Sequence, residues 1–326
     1  MRKTFIAFSV IAAASVTAFQ AAPSWAQTVK ITGIGSHDGE FCRRDRAMLF
    51  EDPDGTRLLF DPGFTVAGSG DPRLGKIDVV LLSSVHGDHL GSRRLPNPGA
   101  GSCGKPKASV KLPDSNTAEI IVGKKAQAFL GGEMRNFIRA KVKKLGGNAK
   151  KQVNVLRFGG ERKVGGVRIA IVPVTHSNGI GPSFLSKDLA AQFKKDGLTA
   201  YVGPDNGYVL TFSNGLVVYM SGDSGISADQ DVTVRGFYGA QIAIMNAGGT
   251  FTSGPKEAAY SVNQLIKPTA VIPQHTNEEA TKGGKLKAGT KTALFKSLID
   301  KKISFHVPLS GVTMEFDSSA KCVKGC

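Results

Sequence analysis

Apolar and polar positions change over in short runs along most of the chain. Residues 29–34 alternate and predict a strand with one buried face. Residues 47–51 and 57–60 flank Asp52-Pro53-Asp54-Gly55, a strong turn signal, and so predict a hairpin. Residues 78–83 are a continuous apolar run, the pattern of a strand covered on both faces. Short strands are predicted again over 119–122, 153–157 and 167–174, with helical spacing over 124–145 broken near Gly131-Gly132. The second half repeats the logic. A helix is predicted over 187–195, and a hairpin over 207–212 and 216–220 around Ser213-Asn214-Gly215. Strands follow at 241–245, 270–272 and 312–316. A helix over 256–266 puts Ala258, Ala259, Val262 and Ile266 on one face, and another covers 290–300. Two stretches lack periodicity and read as insertions: a basic Gly/Pro/Ser-rich one at 92–116 and a second at 180–206. No linker separates the halves, so the pattern predicts one mixed α/β domain.

Composition narrows the class. The chain has 326 residues, 41% of them hydrophobic, which excludes disorder, collagen-like and coiled-coil structure. Its start reads as an address. Met1-Arg2-Lys3 is positive, residues 5–14 are apolar, and Ser24-Trp25-Ala26 puts small residues at the −3 and −1 positions. Residues 1–26 therefore read as a cleaved signal peptide, residues 27–326 as the mature domain, and the protein as periplasmic or secreted. No later stretch approaches the ~20 apolar residues of a membrane span. The formal charge is +16, and losing residues 1–26 with Arg2 and Lys3 leaves +14. Such a charge is compatible with an anionic partner, but the basic clusters are short and no aromatic residues interleave with them. Arg43-Arg44 and its like read as solvated faces, and no nucleic-acid motif is present.

Four cysteines follow the signal: Cys42, Cys103, Cys322 and Cys326. An even number in an exported chain favours disulfides, with three pairings open. Cys322 and Cys326 could close a small loop, leaving Cys42 and Cys103 to pin two distant loops. A zinc site is the alternative, but the spacing matches no usual pattern.

The chain has six histidines, and four follow predicted strands in turn-forming sequence. His86-Gly87-Asp88-His89 places two imidazoles and a carboxylate within four residues of a buried strand. His176 follows the strand at 167–174, Asp223 lies in Ser221-Gly222-Asp223-Ser224-Gly225, and His275 follows the strand at 270–272. A sheet gathers strand ends on one edge, so these residues can converge. Taken singly, each is an ordinary turn or surface residue. Together, four imidazoles and two carboxylates are a ligand set for zinc, and iron or manganese would also be accepted. Asp61, in Phe60-Asp61-Pro62-Gly63, is a candidate acceptor for the proton of a ligand histidine. His37 is a candidate for lining the pocket, and His306 reads as structural.

The order His86-x-Asp88-His89, His176, Asp223, His275 resembles the metallo-β-lactamase superfamily. Gly165-Gly166-Val167 leading to Pro173-Val174-Thr175-His176-Ser177, Val218-Tyr219-Met220-Ser221-Gly222-Asp223, and Phe251-Thr252-Ser253-Gly254-Pro255 resemble the branch containing the L-ascorbate-6-phosphate lactonase. The resemblance covers roughly residues 28–277. It implies a four-layer αβ/βα sandwich with two mixed sheets, outer helices and metals at one edge. It implies His86 and His176 on one zinc, Asp88, His89 and His275 on a second, and Asp223 between them. It also implies hydrolysis of a small-molecule ester, lactone or phosphodiester by a metal-bound hydroxide, with Asp88 orienting the water or taking its proton. Hydrolysis of a β-lactam amide, and a metal-binding module with little catalysis, are the alternatives. The family pattern is His-x-His-x-Asp-His, and this chain has Ser84 at the first histidine. A neutral hydroxyl is a poor zinc ligand, so Ser84 implies a weakened first site and one or two bound ions. Both insertions are expected at the pocket rim. Arg93, Arg94, Lys105, Lys107 and Lys111 of the first are candidates for attracting an anionic substrate.

Overall fold

In a computed structural model, Met1 and residues 27–326 are described, and the signal assignment for 1–26 falls outside them. Two large mixed sheets stand face to face among the described residues. The first runs in the order Cys322–Lys324, Thr313–Phe316, Val29–Gly33, Met48–Glu51, Arg57–Phe60, Val79–Leu81, Gln127–Leu130 and Val153–Val155. The second runs Ser304–Phe305, Ala270–Gln274, Ile242–Asn246, Val217–Met220, Asn206–Thr211, Val167–Pro173 and Glu161–Val164. Each sheet is antiparallel on one side and parallel on the other. The change comes at the pairing of Arg57–Phe60 with Val79–Leu81 in the first sheet, and at Val217–Met220 with Ile242–Asn246 in the second.

Period-two burial explains the layering. Val79 and Leu81 face the space between the sheets, and Val80 faces the helices outside. Ile242 and Ile244 face inward in the same way, with Ala243 and Met245 under the helices of the other side. Strands apolar on both faces must be covered on both faces. Helices Asn116–Gly123 and Gly132–Lys144 cover the first sheet. Pro255–Tyr260 with its continuation to Ile266, and Lys291–Leu298, cover the second. The α/β sandwich expected from the pattern and the resemblance is the observed architecture.

Two local expectations are corrected. Residues 119–122 are not a strand but part of helix Asn116–Gly123, whose start is capped by the Ser115 hydroxyl accepting from the Ala118 amide at 3.1 Å. The helical span predicted over 124–145 contains a strand, Gln127–Leu130, and the helix proper is Gly132–Lys144. A short apolar run such as Ile120-Ile121-Val122 does not by itself reveal its period, and tertiary placement decides. The insertion at 92–116 is not wholly irregular, since Arg93–Arg94 pairs with Val110–Lys111. The sequence pattern also missed helix Gln230–Phe237 and the short edge strands Glu161–Val164, Ser304–Phe305 and Cys322–Lys324.

Both cysteine pairs are bonded, Cys42 to Cys103 and Cys322 to Cys326. Among the described residues no helix is long and apolar enough to cross a membrane.

Leu81 is fully buried between the sheets, whereas Leu198 is 61% exposed. Leu81→Ala is expected to lower unfolding free energy by about 2–5 kcal/mol, and Leu198→Ala by less than about 0.5 kcal/mol, in urea titrations. Similar losses at both positions would contradict the packing described.

Candidate metal centre

Strand direction assembles the site. Arg57–Phe60 and Val79–Leu81 are parallel, so Asp61 and the segment 83–89 leave the first sheet at one edge. Val217–Met220, Ile242–Asn246 and Ala270–Gln274 are parallel in the second, so Asp223 and His275 leave at one edge there. Asn206–Thr211 is antiparallel to both Val217–Met220 and Val167–Pro173, which makes the latter two codirectional and adds His176. The carboxyl ends of such strands are where open sheets place ligands.

Local backbone then aims the side chains. Residues Gly87–Leu90 wind into a single helical turn, with the Leu90 amide donating to the His86 carbonyl at 2.9 Å. Leu90 is buried and anchors the turn. Asp61 and His275 have positive φ angles of 42° and 48°, and neighbouring Asn277 has 59°. Non-glycine residues in that region are strained and gather at functional sites. Gly222 has φ 54°, and a Cβ there would lie 2.8 Å from the Ser83 Cβ, so only glycine fits before Asp223.

The side chains fall into two groups. His86, His176 and Asp223 have donor atoms all within 4.8 Å of one another, and so do Asp88, His89 and His275. Asp223 lies between them. Its Oδ2 is 3.0 Å from His89 Nε2 and 3.7 Å from His176 Nε2, and its Oδ1 is 3.4 Å from His275 Nε2. Asp88 Oδ2 is 3.2 Å from His275 Nε2. The His89 and His275 rings stack at 5.1 Å, and those of His86 and His176 meet edge-on at 5.2 Å. All six residues proposed from the sequence are thus together. Asp61 is fully buried, with Oδ2 2.7 Å from His89 Nδ1, and it accepts from the Ser83 amide and hydroxyl. That bond leaves His89 Nε2 turned towards Asp223.

Ser84 is buried. Its hydroxyl lies 3.4 Å from Asn178 Oδ1 and accepts from the His86 amide at 3.2 Å. His37 does not line the main cavity; its Nε2 donates to the Gly101 carbonyl at 2.7 Å. His306 packs against Phe316, and the cysteines beside it are oxidised to a disulfide. The basic residues expected at the rim are corrected too. Arg94 pairs with Glu119, and neither it nor Arg93, Lys105, Lys107 or Lys111 lines the cavity. The second insertion borders a smaller cavity beside His86, through Ile180, Pro182 and Tyr201.

Two functional candidates escaped the sequence reading. Arg46 is only 4% exposed and donates to Asp88 Oδ2 at 3.1 Å and to Asn277 Oδ1 at 2.6 Å. It lies two residues beyond Arg43-Arg44, and nothing in the sequence singled it out. Asp205, at the end of the second insertion, is fully buried, and neither oxygen has a well-formed partner among the described residues. No sequence signal marked it.

Charge is concentrated here. Burial opposes ionisation of Asp88, but His89, His275 and Arg46 outweigh it and hold its carboxyl well below the usual range. Burial likewise disfavours a charged His89, but Asp223, Asp61 and Asp88 outweigh it and hold its proton well above the usual imidazole range. Burial lowers the pKa of His86 and of His275, helped by His89 and Arg46 respectively. Three carboxylates around one imidazole, with a buried His89 Nε2 and Asp223 Oδ1 lacking hydrogen bonds, are what a metal cation would neutralise. The donor set of imidazole nitrogen and carboxylate oxygen fits a divalent ion.

Residues 45–275 match the family model of the β-lactamase superfamily domain. The chain therefore belongs to the metallo-β-lactamase superfamily and is a metal-dependent hydrolase of that class. A metal-dependent hydrolase of the UPF0173 group from Methanopyrus kandleri is 29% identical over 228 residues, covering 68% of this chain and 77% of that protein. One from Cupriavidus necator is 30% identical over 234 residues, covering 68% of each. Among solved structures, Igni18, a metallo hydrolase from Ignicoccus hospitalis, shares the fold with a TM-score of 0.55 at 20% identity, covering 89% of this chain and 99% of that one. The diiron β-hydroxylase CmlA from Streptomyces venezuelae shares it at 0.54 and 12% identity, covering 91% of this chain and 55% of that one.

Two outcomes are expected. Adding zinc to metal-free protein at pH 7 should release about one proton per chain as His89 gives up its own, read with a pH indicator in weak buffer. Uptake without proton release would contradict the charged His89. Burial, its largest cause, raises the Asp205 pKa to about 8. The folded state then holds a proton the unfolded state has lost, so this group's effect on stability worsens as pH rises from about 4 to about 8. Asp205→Asn should therefore gain stability relative to the native chain between pH 5 and pH 8 in thermal melts of metal-free protein, and a pH-independent difference would contradict it.

Proposed function

We propose that this hydrolase is an exported zinc enzyme that cleaves an ester, lactone or phosphodiester bond in a small molecule. One observation carries the reading: two adjacent donor groups, with Asp223 of the first 3.0 Å from His89 and 3.4 Å from His275 of the second, at the floor of a cavity of about 930 Å³. That volume suits a small organic substrate. Four imidazoles beside two carboxylates favour zinc. Both disulfides and the signal-like residues 1–26 favour export. The roles of His86, His176, Asp88, His89, His275 and Asp223 as ligands are part of this proposal.

A bound divalent ion would supply Lewis acidity to a carbonyl or phosphoryl oxygen and would acidify a water. The chain's own groups do the positioning. Asp88 stays ionised beside Arg46, so its carboxylate can accept a hydrogen bond from the attacking water and orient it. Arg46 in turn donates to Asn277 Oδ1, which steadies its guanidinium beside Asp88 Oδ2. Asp61 keeps the His89 ring in one orientation through Nδ1. Phe64 and Phe251 line the same cavity and offer apolar surface to a bound substrate.

Ser84 favours a second reading, a metal-binding protein with feeble turnover, because the His86 group lacks one imidazole of the family pattern. Counting bound zinc while assaying a lactone, a phosphodiester and a chromogenic β-lactam, with and without zinc, separates the readings. Turnover of a lactone or phosphodiester that needs zinc is the expected result. His275→Ala is expected to lower that rate by more than about 100-fold and to reduce bound zinc. Ser84→His is expected to raise both zinc count and rate. Tight zinc binding with no turnover of any ester would favour the second reading, and β-lactam turnover alone would change the substrate class.

A further inference from the structure

We propose that the substrate carries an oxyanion, a carboxylate or phosphate separate from the bond that is cut, and that Arg43, Arg44 and Lys291 bind it at the mouth of the metal cavity. The proposal rests on the hydrolase reading of the centre and names the substrate class of that site.

The three cations come from distant parts of the chain and line the same cavity as His86, Asp88 and His176. Of the three arginines that line this cavity, Arg46 alone is matched by a carboxylate among the described residues, while arginines elsewhere are of both kinds. Arg46 pairs with Asp88, Arg57 with Glu51, Arg73 with Asp71 and Arg94 with Glu119. Among the described residues, Arg43 and Arg44 have no such carboxylate, and the Lys291 ammonium donates to the Gly248 carbonyl. A solvated cationic face would be the ordinary explanation, and the Arg43 side chain is exposed, but the backbone that carries both arginines is held in place. Cys42 is bonded to Cys103, and the Arg43 amide donates to the Cys103 carbonyl at 3.3 Å. Buried Asp45 accepts from the Ser36 amide at 2.9 Å and the Cys42 amide at 2.8 Å, so its carboxylate is spent on the turn and not on the neighbouring arginines. Arg44 is half-buried, with its guanidinium 5.1 Å from the centre of the Phe64 ring.

Electrostatics point the same way. Burial lowers the pKa of Arg44, and Arg43, Arg93 and Arg46 lower it further, while Asp88 opposes them. Gathered like charges of this kind are relieved by an incoming anion, and a guanidinium pair suits the planar or trigonal oxygens of carboxylate and phosphate. A substrate so held would place its reactive group at the histidine floor and its charge at the mouth.

The test uses zinc-loaded full-length mature protein with two lactones that share a reactive ring, γ-butyrolactone and its 3-carboxylate. Wild-type kcat/KM is expected to favour the carboxylate by ~10-fold at low salt and by less as salt rises. Arg44→Glu should abolish or invert that preference, and the milder Arg44→Gln should reduce it, with thermal melts establishing that both variants are folded. Competition by acetate and by inorganic phosphate, compared in wild type and Arg44→Gln, distinguishes a carboxylate site from a phosphate site. Equal turnover of both lactones, or a preference retained in Arg44→Glu, would overturn the proposal while leaving the hydrolase reading intact. Absent turnover, calorimetric binding of the carboxylate lactone that is lost in Arg44→Glu would support the anion site and count against lactone hydrolysis. No binding of it by wild type would overturn the anion site.

Discussion

Asp223 has almost no contact with solvent, yet it lies within 3.0 to 3.7 Å of imidazole nitrogens from three different strand ends. Asp61 and Asp88 add two more carboxylates around His89. Negative charge packed this densely away from water is tolerable only with matching positive charge. A protonated imidazole supplies it in one state and a metal cation in another, and the choice between them makes folding, acidity and metal uptake a single problem. Arg46 belongs to the same balance, as a fixed cation on the outer side of Asp88.

The two sheets solve the problem geometrically. Each changes from antiparallel to parallel pairing partway across, and the strands that carry donors point the same way. Their inner faces are apolar and interlock, so the strand ends have little freedom to drift. Against that rigid base, left-handed residues such as Asp61 and His275 can be kept where a looser frame would let them relax.

Much of this was legible in the residues. The donor set was, because histidine and aspartate after apolar strands are a rare combination and their order follows a known pattern. Most strands were legible for a similar reason, since alternation and turn chemistry are local properties. Residues 119–122 were not, because a short apolar run in a helix looks like one in a strand, and the Ser115 cap gives little warning. Arg46 and Asp205 were not legible either. Burial of a charged side chain depends on what the rest of the chain places around it, and their neighbours in sequence form no motif. The basic surface at the cavity was misplaced for the same reason. Composition pointed to the long insertion, while the fold uses the turn after Cys42.

Alternation of facing along the strands limits how such a protein can change. Adding or deleting one residue within Ala270–Gln274 would turn Ile272 away from the space between the sheets and carry His275 off its partners together. Lengthening the segment 180–206, which lies outside both sheets until Asn206, alters neither. Descendants of this fold can therefore explore new substrates by growing their loops, while every strand that ends in a donor is held to a fixed count of residues.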